Sequence, residues 1–363
     1  MARYLSSPEF QHDAPERIGV LLVNSGTPDS PRTRDVRRFL RALLADPRVV
    51  ELPRALWLPL LHGAILPLRP LVSARKYRRI WTTAGSPLLA SSEKLRARLA
   101  DELAQRVIAP ISLELAMLYA RPSVPEALER LRGTGATRLL VVPLFPQYCG
   151  TTTGAVYDQV TAELAGWRWL PELRFVAEYH DHPGYIEALR NAVLDHWSLH
   201  GRTQHLLLSF HGIPAAYFRR GDPYHCKARK TARLLADELG LSEDEWTLSF
   251  QSKFGPGRWL GPGTRQVLED LARRGTRSVT VTCPGFAVDC LETLHEIDVE
   301  YRERFLAAGG ERFQYVPALN ASPDHARVFG DLIATHCQGW TSAALGQLAL
   351  NGARSSSRAA RGH

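Results

Sequence analysis

Six short apolar runs, most closing on Gly or Pro and each followed by a helical pattern, limit what this chain can fold into. They are IGVLLVNSG (18–26), SLELAMLYA (112–120), RLLVVPLFP (138–146), HLLLSFHG (205–212), WTLSFQSKFG (246–255) and SVTVTCPG (278–285). Runs apolar on both faces need cover on both faces, and segments such as VPEALERLRG and TRQVLEDLARRG carry the helical periodicity to supply it. The pattern predicts an α/β chain, doubly wound, of parallel sheets covered by helices.

The pattern also repeats. LLVNSGTP resembles LLLSFHGIP, and EALERLRGTGATRLLVVPLFP resembles QVLEDLARRGTRSVTVTCPGF. Two similar Rossmann-like lobes follow, 17–185 and 186–325, with a cleft between them. A short N-terminal extension (1–16), a C-terminal helix (326–345) packing back on the body and a disordered tail (346–363) complete the division. Open α/β sheets bind ligands beyond the carboxyl ends of their strands. In the second lobe those ends carry His211, Gln251 and Cys283.

After Cys283 comes a helical stretch with Asp289, Glu292, Glu296 and Glu300 at spacings of three, four and four. At 3.6 residues per turn these carboxylates share one stripe. Like charges so placed cost roughly 0.2–0.5 kcal/mol per pair. The stripe is either a solvated face, relieved by Arg302 and Arg304, or a carboxylate ladder handling protons or a metal ion. His211 is a structural strand-end residue or a base and ligand, since imidazole titrates near neutrality and binds borderline divalent metals. Trp259 is an aromatic wall for a flat ligand or a packing residue.

Composition excludes several classes. The chain has 363 residues, 45% hydrophobic and 23% charged, enough for two lobes with cores. Its net charge of +8 suits an anionic substrate or lipid surface, but no basic block with interleaved aromatics suggests nucleic acid. Five scattered Cys without a C-x-x-C pair suggest a reducing compartment and no four-cysteine metal site. HEIDV lacks the second His of H-E-x-x-H, and no Walker or G-x-G-x-x-G loop occurs. No signal-peptide core is present, and no run matches an uninterrupted membrane span. The segment Leu56 to Leu68, within an apolar lip at 54–70, is instead expected to face a membrane rather than the core. Pro59 and Pro67 interrupt it, and Arg54, Arg69, Arg75, Arg78 and Arg79 stand near as headgroup contacts.

Longer motifs carry a family resemblance. LLLSFHGIP, RRGDPYHCKARKTARLLADELGL, FQSKFGPGRWLGPGT, CPGFAVDCLETLHEI, LLVNSGTPDSPRTRDVRRFLRALLADPRVVELP, RRIWTTAGSPL and LFPQYCGTTTG resemble ferrochelatase, the lyase that inserts Fe2+ into a porphyrin, over about residues 18–325. The resemblance implies two Rossmann-like lobes around a porphyrin cleft. By position it implies His211 and Glu292 as catalytic and metal-handling residues, Asp289, Glu296 and Glu300 as a relay, and Tyr119 and Trp259 as pocket aromatics. Leu118 stands where many relatives carry Arg, with Arg121 close by as a substitute contact for a propionate. Ser25 stands where coproporphyrin-using relatives carry Tyr, which favours protoporphyrin IX. Phe145, Cys290 and His295 also depart from common patterns. With only Cys337 near the C-terminus, no iron–sulfur cluster is expected and no tightly bound cofactor, Fe2+ being substrate. The expectation is a monomeric, cytoplasmic, haem-forming enzyme in peripheral contact with the inner membrane. A cobalt or nickel chelatase on another tetrapyrrole, or a non-catalytic porphyrin carrier, is the alternative.

Overall fold

The computed structural model describes residues 4–5, 17–106, 110–255 and 257–340. The expected tail at 346–363, most of the N-terminal extension and the end of the expected C-terminal helix lie outside the described residues.

Two four-stranded parallel sheets form the frame. The first contains β1 (Arg17–Asn24), β2 (Ile111–Met117), β3 (Ala136–Pro143) and β4 (Glu172–Phe175), in the order β2-β1-β3-β4. The second contains β5 (His205–His211), β6 (Trp246–Gln251), β7 (Ser278–Thr282) and β8 (Arg312–Tyr315), in the order β6-β5-β7-β8. The two orders are the same topology written twice, so the internal echo is a duplicated fold. Registers run without shift through β1 and β2, from Ile18 opposite Ile111 to Asn24 opposite Met117. The edge strands β4 and β8 were not among the six expected runs, being only four residues each. The helix Pro183–His200 carries the chain from one sheet to the other, and the expected lobe boundary at residue 185 falls in its first turn.

Side-chain alternation along the strands feeds separate cores. In β1, Val20 and Leu22 face a central cluster while Leu21 and Val23 face an outer one. The central cluster joins both sheets: Leu140 and Val142 of β3 share it with Leu206, Leu208 and Phe210 of β5. The helices Pro87–Arg106 and Pro323–His336 add Leu95, Leu99 and Phe329 to it. Each such residue, fully buried, contributes about 1.5–3 kcal/mol, so the lobes are welded by a common interior and their relative placement is fixed.

The apolar segment departs from expectation. Residues Arg54–Ile80 form one continuous helical run, with five residues, Leu61–Ile65, in π-helical pitch between two α-helical parts. Pro59 and Pro67 therefore do not break it; the π segment absorbs the local irregularity. By length and apolar content the run meets the minimum for a membrane span, but one side of it is core. Trp57, Leu61 and Leu66, expected on an exposed lip, are buried, and the Trp57 Nε1–H donates to the Leu44 carbonyl (2.7 Å). Leu56, Leu60, Leu68, Leu71 and Val72 are the exposed side, each at least half exposed.

Candidate active site

Carboxyl ends of strands from both sheets meet at one cavity of about 1090 Å³. Ligand pockets run to about 300–1,000 Å³, so this one has room for a ligand larger than a nucleoside. Ser25 follows β1, Tyr119 follows β2, Phe145 and Gln147 follow β3, His211 ends β5, and Ser252 and Phe254 follow β6. The fourth side is the helical run Arg54–Ile80 and the helix after β7.

His211 is the one exposed residue of an otherwise buried strand. Its Nδ1 lies 2.7 Å from the Gly212 carbonyl. A carbonyl only accepts, so Nδ1 is the donor, and in the neutral imidazole the lone pair then lies on Nε2. Gly212 is required here, because a Cβ would sit 2.8 Å from the Gln251 carbonyl oxygen and 3.4 Å from the Trp259 ring. That close approach packs the turn after His211 against the Trp259 ring, and both side chains line the cavity.

The acidic stripe is divided by the structure. Glu292–Tyr301 is a π-helix, closed by i→i+5 hydrogen bonds rather than the α pattern the spacing suggested. Glu292, Glu296 and Glu300 line the cavity, together with His295. Asp289, expected at the head of the row, does not; it precedes the helix and is buried. Its Oδ1 accepts from the Tyr315 hydroxyl (2.6 Å), the Thr293 hydroxyl (2.9 Å) and the Ala318 N–H (3.3 Å), and its Oδ2 from Asn320 Nδ2 (2.8 Å). A carboxylate so saturated has few lone pairs left for an incoming ion.

Glu296 is fixed differently. It accepts from the Ser252 N–H (2.8 Å) and hydroxyl (2.5 Å) and from the Tyr301 hydroxyl (2.6 Å). Ser252 holds φ at +62°, the left-handed region that non-glycine residues seldom adopt, which turns its N–H toward the carboxylate. Glu300 binds Lys76 Nζ (2.7 Å) and lies 3.4 Å from His295 Nδ1. Desolvation, then Lys76 and Arg79, pull the His295 imidazole down against the attraction of Glu300, so it is held neutral at neutral pH. Near Glu292, burial first and its carboxylate second push the Cys290 thiol well above the ordinary range. Burial does the same to Cys283. Both sulfurs are therefore thiols rather than thiolates at neutral pH.

Other placements differ from expectation. Tyr119 and Trp259 line the cavity; Tyr119 is nearly buried and donates to Asp46 Oδ2 (2.8 Å). Arg121 does not line it; its side chain is 81% exposed and pairs with Glu126 at 3.7 Å. Arg69, expected at lipid headgroups, points inward instead. Its guanidinium lies 3.9 Å from the Phe254 ring centroid, its Nη1 is buried without a hydrogen-bond partner among the described residues, and burial lowers its pKa while the Glu292 charge opposes the fall. Arg69, Lys76 and Phe254 were thus missed as site residues. The helical phase of 54–80 was the available signal, since Arg69, Lys76 and the buried Tyr77 fall on one side. Among the described residues no three His, Cys, Asp or Glu side chains gather as a metal cage.

Two similar parallel sheets opening at their carboxyl ends on a shared cleft define a chelatase-type fold. SirB from Bacillus subtilis with Fe3+ matches at a TM-score of 0.53 and 12% identity, over 87% of this chain and 93% of that one. The sirohydrochlorin chelatase SirB from Bacillus subtilis subspecies spizizenii in complex with cobalt matches at 0.51 and 12% identity, over 89% and 97%. These likenesses are of fold. Sequence is more specific. The ferrochelatase family model matches residues 17–337. A ferrochelatase of Nitrosococcus oceani is 52% identical over 338 residues, 93% of this chain and 92% of its own. One from Aromatoleum aromaticum is 49% identical over 343 residues, 94% of each. The chain belongs to the ferrochelatase family.

Proposed function

We propose that this chain inserts Fe2+ into protoporphyrin IX to form haem, with His211 and Glu292 carrying the chemistry. The observation that supports the site assignment most is that a base with a free lone pair and a row of three carboxylates open into one large cavity. Family membership supplies the reaction. The macrocycle lies in the cleft against Tyr119, Trp259 and the Ser25 turn. Nε2 of His211 takes the two pyrrole protons one at a time, passing each to the Glu292 row before it accepts the next. Glu292 receives protons or hands over the ion, with Glu296 and Glu300 leading away from it. Iron is held in passing by the His211 and Glu292 side chains before Nε2 takes up a proton, and finally by the pyrrole nitrogens. Strain in the bound macrocycle is drawn from binding energy elsewhere in the cleft.

The enzyme works in the cytoplasm at the inner membrane face. Leu56, Leu60, Leu68 and Leu71 form an exposed apolar stripe that runs to Val72, which also lines the cavity. Such a patch marks a contact surface, and a poorly soluble porphyrin gains a direct path from bilayer to cleft.

An anaerobic assay with Fe2+ and porphyrin, followed by haem absorbance, tests the reading. Wild type should turn over, and His211→Ala should lose 10²-fold or more, the usual range of a general base, while still binding porphyrin. Near-parental turnover in the variant would remove His211 from the mechanism. Binding without any turnover in wild type would leave a carrier.

A further inference from the structure

A second cavity, about 360 Å³, lies between the helix Thr33–Ala45 and the run Arg54–Ile80. Arg34, Arg37, Arg38 and Arg41 line one side, His62 and Pro67 the other, and none of them borders the porphyrin cleft. The four arginines make four like-charged i,i+3 or i,i+4 neighbours, each of which destabilises the helix. Arg34 also sits in the first turn, where the helix dipole disfavours a cation. Part of the charge is met locally: Arg38 pairs with Asp29 (2.7 Å) and approaches Asp35 (3.7 Å), and Arg34 lies 3.5 Å from Asp35. Arg37 and Arg41 are exposed and have no carboxylate partner among the described residues. Two guanidinium forks are thus left facing a small cavity, and this donor geometry fits a phosphate.

Position selects the kind of phosphate. Pro67, in the pocket wall, is followed by exposed Leu68 and lies along the helix from exposed Leu60. A headgroup in the pocket would therefore have apolar side chains beside it to meet its acyl chains. We propose that this pocket seats the phosphate of an anionic phospholipid, and so orients the apolar stripe and the cleft mouth toward the bilayer. The proposal rests on the membrane contact argued above. Its occupant is lipid, not a free phosphate ion.

The test is cosedimentation of the full chain with vesicles of phosphatidylcholine alone or with added phosphatidylglycerol, alongside titration with inorganic phosphate. Wild type should partition onto the anionic vesicles. Arg37→Gln with Arg41→Gln should weaken that partitioning by more than the roughly 30-fold that two basic residues merely near an anionic surface account for, at about fivefold each. The same double change should leave turnover of a water-soluble porphyrin as in wild type. Arg75→Gln with Arg79→Gln, an equal loss of charge outside the pocket, should cost clearly less. Equal losses in the two double variants, or none in the pocket variant, would overturn the pocket while leaving the apolar contact standing. Wild type that ignores every vesicle overturns both. Saturable inorganic phosphate binding at Arg37 and Arg41 without vesicle preference makes it an ion site and overturns the lipid assignment.

Discussion

Asp289→Asn set against Glu292→Gln separates an anchoring carboxylate from a working one. In the wild type Asp289 Oδ1 collects three donors and Oδ2 one, all in a buried corner. The asparagine keeps Oδ1 for Tyr315, Thr293 and Ala318 but turns an amide toward the Asn320 amide, opposing two donors. One charge-assisted bond is lost, worth roughly 1.5–3 kcal/mol, and a buried donor is stranded for about 1–3 more. Partial relaxation reduces the sum, so the expected destabilisation is about 2–4 kcal/mol. The loss should appear as a lower urea midpoint, with the folded enzyme keeping most of its turnover. Glu292 is part-exposed in the cavity, and its substitution should change stability by about 0.5 kcal/mol or less. Its turnover should fall 10²-fold or more, in the range of a lost proton-transfer group. Glu300→Gln, whose carboxylate is engaged by Lys76, should be milder than Glu292→Gln. An Asp289→Asn variant that loses turnover as severely as Glu292→Gln with an unchanged midpoint would refute this division, since Asp289 would then belong to the relay.

Acid stability should carry a signature of His325, which is fully buried and held down to about 4 by desolvation, its Nδ1–H donating to the Asn320 carbonyl (2.6 Å). The unfolded imidazole takes up its proton from about pH 6.5 downward and the folded one only near 4. Stability should therefore fall across that window, by on the order of 3 kcal/mol in total, and stay flat in this contribution above it; a His325→Gln variant with the same pH dependence would refute the assignment. On the apolar run, Leu60→Ser with Leu68→Ser should lower vesicle binding without moving the melting temperature, whereas Trp57→Ala should cost about 3–5 kcal/mol as a core deletion. Equal melting temperatures for all three proteins would contradict the division into exposed and buried sides.

The repeated α/β pattern and the sheet edge on which His211 and Glu292 lie are legible in the amino-acid order alone. Those features are periodic and local: strands of five to eight residues announce themselves by continuous apolar runs, and a strand end is a point on the chain. The four-residue edge strands β4 and β8 are too short for that signal and exist because β3 and β7 offer them a free edge. Which carboxylates of the acidic row face the cleft was decided by tertiary structure. The row begins only at the π-helix, and Tyr315 and Asn320, distant in sequence, claim Asp289 first. The same holds for Arg69 and Arg121, both flexible cations near the site by sequence. Packing of the run Arg54–Ile80 turns Arg69 onto Phe254 and into the cavity, while Arg121 stays in solvent beside Glu126. Over residues 56–68 that run carries leucines on every side, so in this half the sequence leaves the choice of inner face open. The choice falls to Leu44, whose carbonyl receives the Trp57 indole and commits Leu56, Leu60 and Leu68 to the outside.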